Sequence, residues 1–212
     1  MASDAEDVSM TSAFFGPGAF AFLDSLQADN TRAYFQAHRE DYQREILAPL
    51  QELVAIAEPR YGPGRVMRQH RDLRFSRDKT PYRTTASMTA GTIGGIYLRL
   101  SSDGVQVGGG LYEPNREQLG RAREAIAESS RAAGELAAAL RALTSHGYQL
   151  AGSPLKTAPR GYSPSHPEID LLRLRHYAAL VELPTSVSVK EIQTGWERTR
   201  PLLDWIESYV GH

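Results

Sequence analysis

Ala19, Phe22, Leu23 and Leu26 recur at steps of three and four, which predicts a helix over 18–27 with one apolar face. Asp29, Asn30 and Thr31 then supply residues that end this helix and cap the next. Phe35, His38, Tyr42, Ile46, Leu50, Leu53 and Val54 form the buried stripe of a second, long amphipathic helix. Pro49 should kink it, and the chain should break at Pro59 and again at Gly62-Pro63-Gly64.

After that break the period changes to two. Met67, Leu73 and Phe75 alternate with Arg68, His70, Asp72 and Arg74, so 66–75 reads as a strand, although Gln69 and Arg71 interrupt its apolar face. Segments 95–100 and 105–109 flank Ser-Ser-Asp-Gly, whose Asp-Gly pair predicts a hairpin turn with positive φ. Asn115 and Gln118 have capping-box spacing at the start of a helix running to about Ser130, with Leu119, Ala122 and Ile126 inward. An alanine-rich helix to Leu143 follows, then a proline-rich crossing loop over 152–167 and a short helix over 168–173. An extended piece over 177–183 and a helix over 189–210 close the chain. Helices bracket strands joined by hairpins without βαβ alternation, so the expected class is α+β: a mainly antiparallel sheet packed with helices, in a single domain over 13–212. The expected core includes Phe22, Leu26, Phe35, Tyr42, Leu73, Phe75, Leu119, Ile126, Trp196, Leu203 and Ile206.

Composition narrows the setting. With 41% apolar residues among 212, the chain can bury a real core, and its longest apolar runs are far short of the ~20 residues that cross a bilayer. No membrane partner is expected. Residues 1–12 carry three acids, no basic residue and no apolar run, which reads as a disordered tail and not a secretory signal. The absence of cysteine removes disulfides, thiolate nucleophiles and Cys-type metal sites, and suits a cytoplasmic protein. The six histidines show no HExxH and no close ligand spacing, so neither a metal nor another cofactor is read from the sequence.

Charge carries the functional signal. The whole chain has a net charge of -1, yet residues 65–85 hold six Arg and one Lys against Asp72 and Asp78, a local +5 against -6 elsewhere. Concentrated positive charge points to a local anion site in preference to general polyanion affinity. On an extended chain alternate residues lie about 7 Å apart on one face, so Arg68 and Arg74 flank His70 and Asp72. Arginine forks bind carboxylate or phosphate oxygens in pairs. Ser76–Pro81 is expected to turn Lys79, Tyr82 and Arg83 back towards the same region, since Pro81 holds Thr80 extended. His70 and Asp72 have the composition of an acid/base pair in which a carboxylate orients an imidazole.

The run Arg68–Thr84 resembles the hallmark R-I-H-R-D-V-R-F-S-K-D-K-T-P-Y-K-T of the family known as domain of unknown function 2461. Asn30–Phe35 is similar to its N-N-x-x-W-F block, Gly108–Pro114 to G-G-G-x-Y-x-P, and Leu155–Pro167 to L-K-x-P-P-x-G-F-x-x-x-H-P. The resemblance covers nearly the whole chain from Phe14. Tyr34 stands where the family usually has Trp, Gln69 where it is apolar, and Arg77 and Arg83 where Lys is common. It implies a shared fold and a shared basic block, and no reaction.

Three functions follow. The first is a pocket for a small anionic ligand, phosphate- or carboxylate-bearing, with or without catalysis. It would be lined by Arg68, Arg71, Arg74, Lys79, Tyr82 and Arg83 and covered by a loop carrying Lys156, Arg160 and Tyr162. The second is nucleic-acid binding on the same face with Phe75 and Tyr82 stacking on bases, which a pI of about 6.6 disfavours. The third is an interaction module whose arginines pair with internal carboxylates. The placement of the basic residues separates them.

Overall fold

The computed structural model describes residues 12–71 and 79–211. Its strands are β1 (Gly64–Val66), β2 (Ala86–Gly91), β3 (Gly95–Leu100), β4 (Val105–Leu111), β5 (Gln149–Leu150) and β6 (Tyr177–Leu183). They form one antiparallel sheet of order β1-β2-β3-β4-β6-β5 with helices packed on it, the α+β class expected from the sequence. The helices are α1 (Pro17–Ala28), α2 (Arg32–Ala37), α3 (Arg39–Asp41), α4 (Ala48–Tyr61), α5 (Arg116–Glu128), α6 (Ser130–Ser145), α7 (Ile169–Leu172), α8 (Val189–Arg198) and α9 (Arg200–Val210). The tail expected over 1–12 lies, except for Ser12, outside the described residues. The chain falls into two compact units.

The first unit takes the described parts of 1–91, 97–107 and 182–194. Thr31, and not Asn30, caps α2: its hydroxyl accepts the Tyr34 N–H at 3.1 Å, which satisfies a donor that the helix start leaves over. The long second helix is interrupted. It breaks at His38, and α3 passes through a π-helical turn, Tyr42–Leu47, into α4. Pro49 follows directly on the π turn, which widens the ladder just where Pro49 has no N–H to give, so that turn takes the expected place of a kink. Pro59 does not end the helix; α4 runs through it to Tyr61 and Gly62 closes it. Leu50, Leu53 and Ala57 of α4 are buried, and α4 packs on β1 and β2. Ala86, Met88 and Ala90 of β2 alternate with less buried residues, as do Leu98 and Leu100 of β3, giving a sheet with one strongly apolar face.

The turn after β3 corrects one expectation. Neither Asp103 nor Gly104 has a positive φ. The Ser101 hydroxyl accepts the Asp103 N–H at 3.3 Å, while the Ser101 N–H donates to the Gly104 carbonyl at 3.0 Å, so a side-chain turn replaces the left-handed one. Glycine is needed at 104 for space: a Cβ there would lie 2.9 Å from the Leu183 carbonyl oxygen.

The second unit takes 92–96, 108–181 and 195–211 of the described residues. Its core joins Ala122 and Ile126 of α5, Leu136 and Leu140 of α6, Leu172, Tyr177, and Leu202, Trp205 and Ile206 of α9. Trp205 donates its indole N–H to the Ala132 carbonyl at 2.8 Å. The helix expected over 189–210 is two helices. Pro201 has no N–H with which to continue the ladder, and Thr199 closes the turn by donating both its N–H and its hydroxyl to the Trp196 carbonyl, at 3.0 and 2.7 Å. Of the expected core, the nine residues that are described are all buried or half-buried; Leu73 and Phe75 lie outside the described residues.

The capping box is present in both directions: Asn115 accepts the Gln118 N–H at 2.8 Å, and Gln118 accepts the Asn115 N–H at 2.9 Å. Asn115→Ala removes the forward half and is expected to lower the stability of the fold by about 1 kcal/mol, read as a lower urea midpoint with an unchanged slope.

Candidate functional site

The basic window begins on β1, which pairs antiparallel with β2 through Gly64↔Ala90, Arg65↔Thr89 and Val66↔Met88. The strand expected over 66–75 therefore starts earlier, at Gly64, and its regular part ends at Val66; positions 72–75 lie outside the described residues. It continues as an extended chain: the Met67 N–H donates to the Ser87 carbonyl at 2.8 Å, and His70 and Tyr82 form an isolated antiparallel bridge. That bridge is bounded by Arg71 N–H to Pro81 carbonyl and Arg83 N–H to Gln69 carbonyl, both at 2.9 Å. The return of 79–83 towards 69–71 is thus built from backbone pairing.

Between the two pairings, residues 67–69 face residues 83–87, three against five. The excess is a bulge, and bulges leave ladder groups unpaired. Gln69 supplies the missing donor. It is only 4% exposed, and its side-chain amide donates to the Arg83 carbonyl and, at 3.3 Å, to the Thr85 carbonyl. This explains a polar residue on the inward side of the alternation, since an aliphatic side chain would leave both carbonyls unpaired. Its neighbours Arg68 and His70 are exposed, and Met67 and Arg71 are half-buried.

Asn30 pins the opposite strand. Its side-chain amide donates to the Tyr82 carbonyl and its side-chain oxygen accepts the Tyr82 N–H, each at 3.0 Å, as a neighbouring strand would. Tyr82 is 3% exposed, its ring stacked on Phe35 with centroids 4.1 Å apart and planes 11° apart. Phe35 also meets Phe22 and Tyr42. His70 lies against both Tyr82 (4.8 Å between centroids) and Phe35 (6.0 Å). Next to this cluster in the chain, the His38 ring stacks on Tyr34 at 4.1 Å. Its Nδ1 sits 2.9 Å from the Tyr34 carbonyl, an oxygen that can only accept, so Nδ1 carries a proton and Nε2 faces away from that bond.

The predicted residues therefore sort by place. Arg68, His70, Arg71, Tyr82 and Arg83 share one backbone pairing, and Lys79 stands exposed just before it. Asp72 and Arg74 lie outside the described residues. Lys156 and Arg160, exposed, and Tyr162, half-buried, belong to the second unit. Buried under Phe35, Tyr82 has no face to offer a nucleic-acid base. Among the described residues no carboxylate pairs with Arg65, Arg68 or Arg83, whereas Arg44, Arg121, Arg131 and Arg200 each hold one within 2.8 Å.

Asn30 was legible only as a capping residue. Its reach to a partner 52 positions away has no local signal, although the similarity block at 30–35 contains both it and Phe35. In the second unit, Gly108 and Gly110 belong to close backbone approach, as glycines inside a strand do: a Cβ on Gly110 would lie 2.5 Å from the Ala178 Cα.

No curated protein and no solved structure matches the chain. The profile of one family does, over residues 18–205, a span that takes in the Asn30 clamp, the basic window and the glycine strand together. On that match the chain belongs to the conserved hypothetical protein family DUF2461.

Proposed function

We propose that the protein binds a small anionic ligand, bearing a phosphate or a carboxylate, on the paired segments around His70 and Tyr82. The observation that carries this reading is the state of Arg68 and Arg83. Both are exposed, neither has a carboxylate partner among the described residues, and they stand two residues and one residue from the His70–Tyr82 bridge. Gln69 and Asn30 hold the backbone beneath them. Arginines on a pinned backbone lose less freedom when they close on an anion, which favours binding over a merely solvated charge. Lys79, Arg71 and Arg74 add positive charge along the same segment. If the ligand is also turned over, exposed His70 is the group we place as acid or base, with Asp72 as its sequence neighbour to orient it.

Arg68→Ala and Arg83→Ala are each expected to weaken binding of a phosphate- or carboxylate-bearing compound by roughly 1.5–3 kcal/mol, with little change in the melting temperature of the free protein. A thermal-shift screen of wild type, both variants and Arg74→Ala tests this, using inorganic phosphate, anionic metabolites and a short oligonucleotide at two salt concentrations. A metabolite shift lost in the variants supports the pocket. An oligonucleotide shift that collapses with salt transfers the function to nucleic acid. Variants that lose stability while no compound shifts the wild type return the arginines to a structural role.

A further inference from the structure

A second group of donors lies entirely within the second unit and has no part in the basic window. Tyr177, at the start of β6, is wholly buried, with its ring 5.5 Å from that of Trp205. Its hydroxyl has no hydrogen-bond partner among the described residues. A buried phenol ordinarily finds one, and an orphan of this kind calls for an occupant that the protein itself does not supply.

The surroundings define that occupant. Arg123 of α5 donates its Nε–H to the Leu172 carbonyl at 3.1 Å, which fixes the guanidinium and leaves its terminal nitrogens without a carboxylate among the described residues. Tyr162, on the proline-rich loop, packs against the core that contains Leu172 and Tyr177. The loop is tied down where the Leu155 N–H donates to the Arg173 carbonyl at 2.8 Å. On Arg173, Nε is another buried donor with no acceptor among the described residues. Burial raises the pKa of both phenols, more strongly for Tyr177; the Arg123 charge opposes this in each, and Tyr162 raises that of Tyr177 slightly further. Both hydroxyls therefore remain protonated at neutral pH. Glu124 and Glu128 also act on Tyr162, each less than Arg123 does.

We propose that Arg123, Tyr162 and Tyr177 form a second anion site, which takes one small oxyanion, carboxylate or phosphate, as the acceptor for the Tyr177 hydroxyl. The guanidinium supplies the charge, and the two phenols supply neutral donors that stay protonated beside an anion. A water molecule fills the same space in the alternative, since it too can accept from a phenol.

The test uses the full chain with ring-labelled tyrosine. Sodium acetate and inorganic phosphate are titrated separately against sodium chloride at matched ionic strength, and the tyrosine ring resonances are followed. The expected result is saturable movement of the Tyr162 and Tyr177 signals with one of the two oxyanions and none with chloride; the responding anion identifies the source chemistry. Tyr177→Phe should weaken that binding about tenfold, the worth of one hydrogen bond, while the ligand-free variant is at least as stable as wild type because an orphan hydroxyl is gone. Arg68→Ala should leave the response intact, which separates this site from the basic window. Absence of movement in wild type with either oxyanion, or undiminished binding by Tyr177→Phe, overturns the proposal in favour of water. Should Tyr177→Phe fail to fold, the wild-type titration and Arg123→Lys, which keeps the charge and loses the fork, decide the matter.

Discussion

Gly110→Ala is expected to destabilise the protein by about 4 kcal/mol, among the largest effects a single methyl group produces. Two costs combine. Gly110 has φ of +130°, a region that residues with a Cβ hardly occupy, worth about 1–3 kcal/mol. The added Cβ would also fall well inside contact distance of the Tyr177 carbonyl oxygen and 2.5 Å from the Ala178 Cα, so backbone on β6 would have to move, for about 1–3 kcal/mol more. Urea unfolding of the variant should show a much lower midpoint. Gly120→Ala is the internal control: no atom lies within 4 Å of a Cβ there, the site is in α5, and alanine should stabilise by about 0.5–1 kcal/mol. Equal behaviour of the two variants would mean that the approach of β4 to β6 is looser than the structure has it.

Asn30→Ala is expected to cost about 2–4 kcal/mol, since it strips partners from both the N–H and the carbonyl of buried Tyr82 at once. Asn30→Asp makes the reading specific. A carboxylate still accepts the Tyr82 N–H but has nothing to donate to the Tyr82 carbonyl, so roughly half the loss should remain. Both changes should also weaken anion binding at Arg83, one residue along, by loosening the strand that carries it. If Asn30→Ala unfolds at the wild-type urea midpoint, the clamp contributes nothing and the proposed preorganisation of the arginines loses its basis.

The parts of this fold that announce themselves in the sequence are those whose cause is local. The capping box at Asn115 and Gln118, the one-faced alternation of β3 and the apolar side of α1 each follow from residues within a few positions. The Asp-Gly pair misleads because the Ser101 hydroxyl, two residues away, supplies a bond that makes left-handed backbone unnecessary. Gln69 looked like a fault in a strand because its partners, the Arg83 and Thr85 carbonyls, are exposed by a bulge that only the register discloses. Arg68 and Arg83 are visible as charge, while their place beside a His70–Tyr82 bridge is not. Arg123 and Tyr177 had no signature at all, for an orphan hydroxyl is a property of surroundings and not of spacing.

The π-helical turn at Tyr42–Leu47 bears on the site through rotation. In an α-helix a step of four residues overshoots a full turn by about 40°, so the three such steps from His38 through Tyr42 and Ile46 to Leu50 would carry the stripe round by roughly 120°. A turn that takes up extra residues winds part of this drift back, which lets Tyr42 face Phe22 and Phe35 while Ile46 and Leu50 stay buried. The stretch behaves as an α-helix carrying one surplus residue. Forcing the turn into an α ladder with every residue kept would swing everything before it by about 100° around the helix axis. Tyr42 would leave Phe35, the ring on which Tyr82 rests, so the phase of a helix remote in sequence from the arginines sets the floor beneath them.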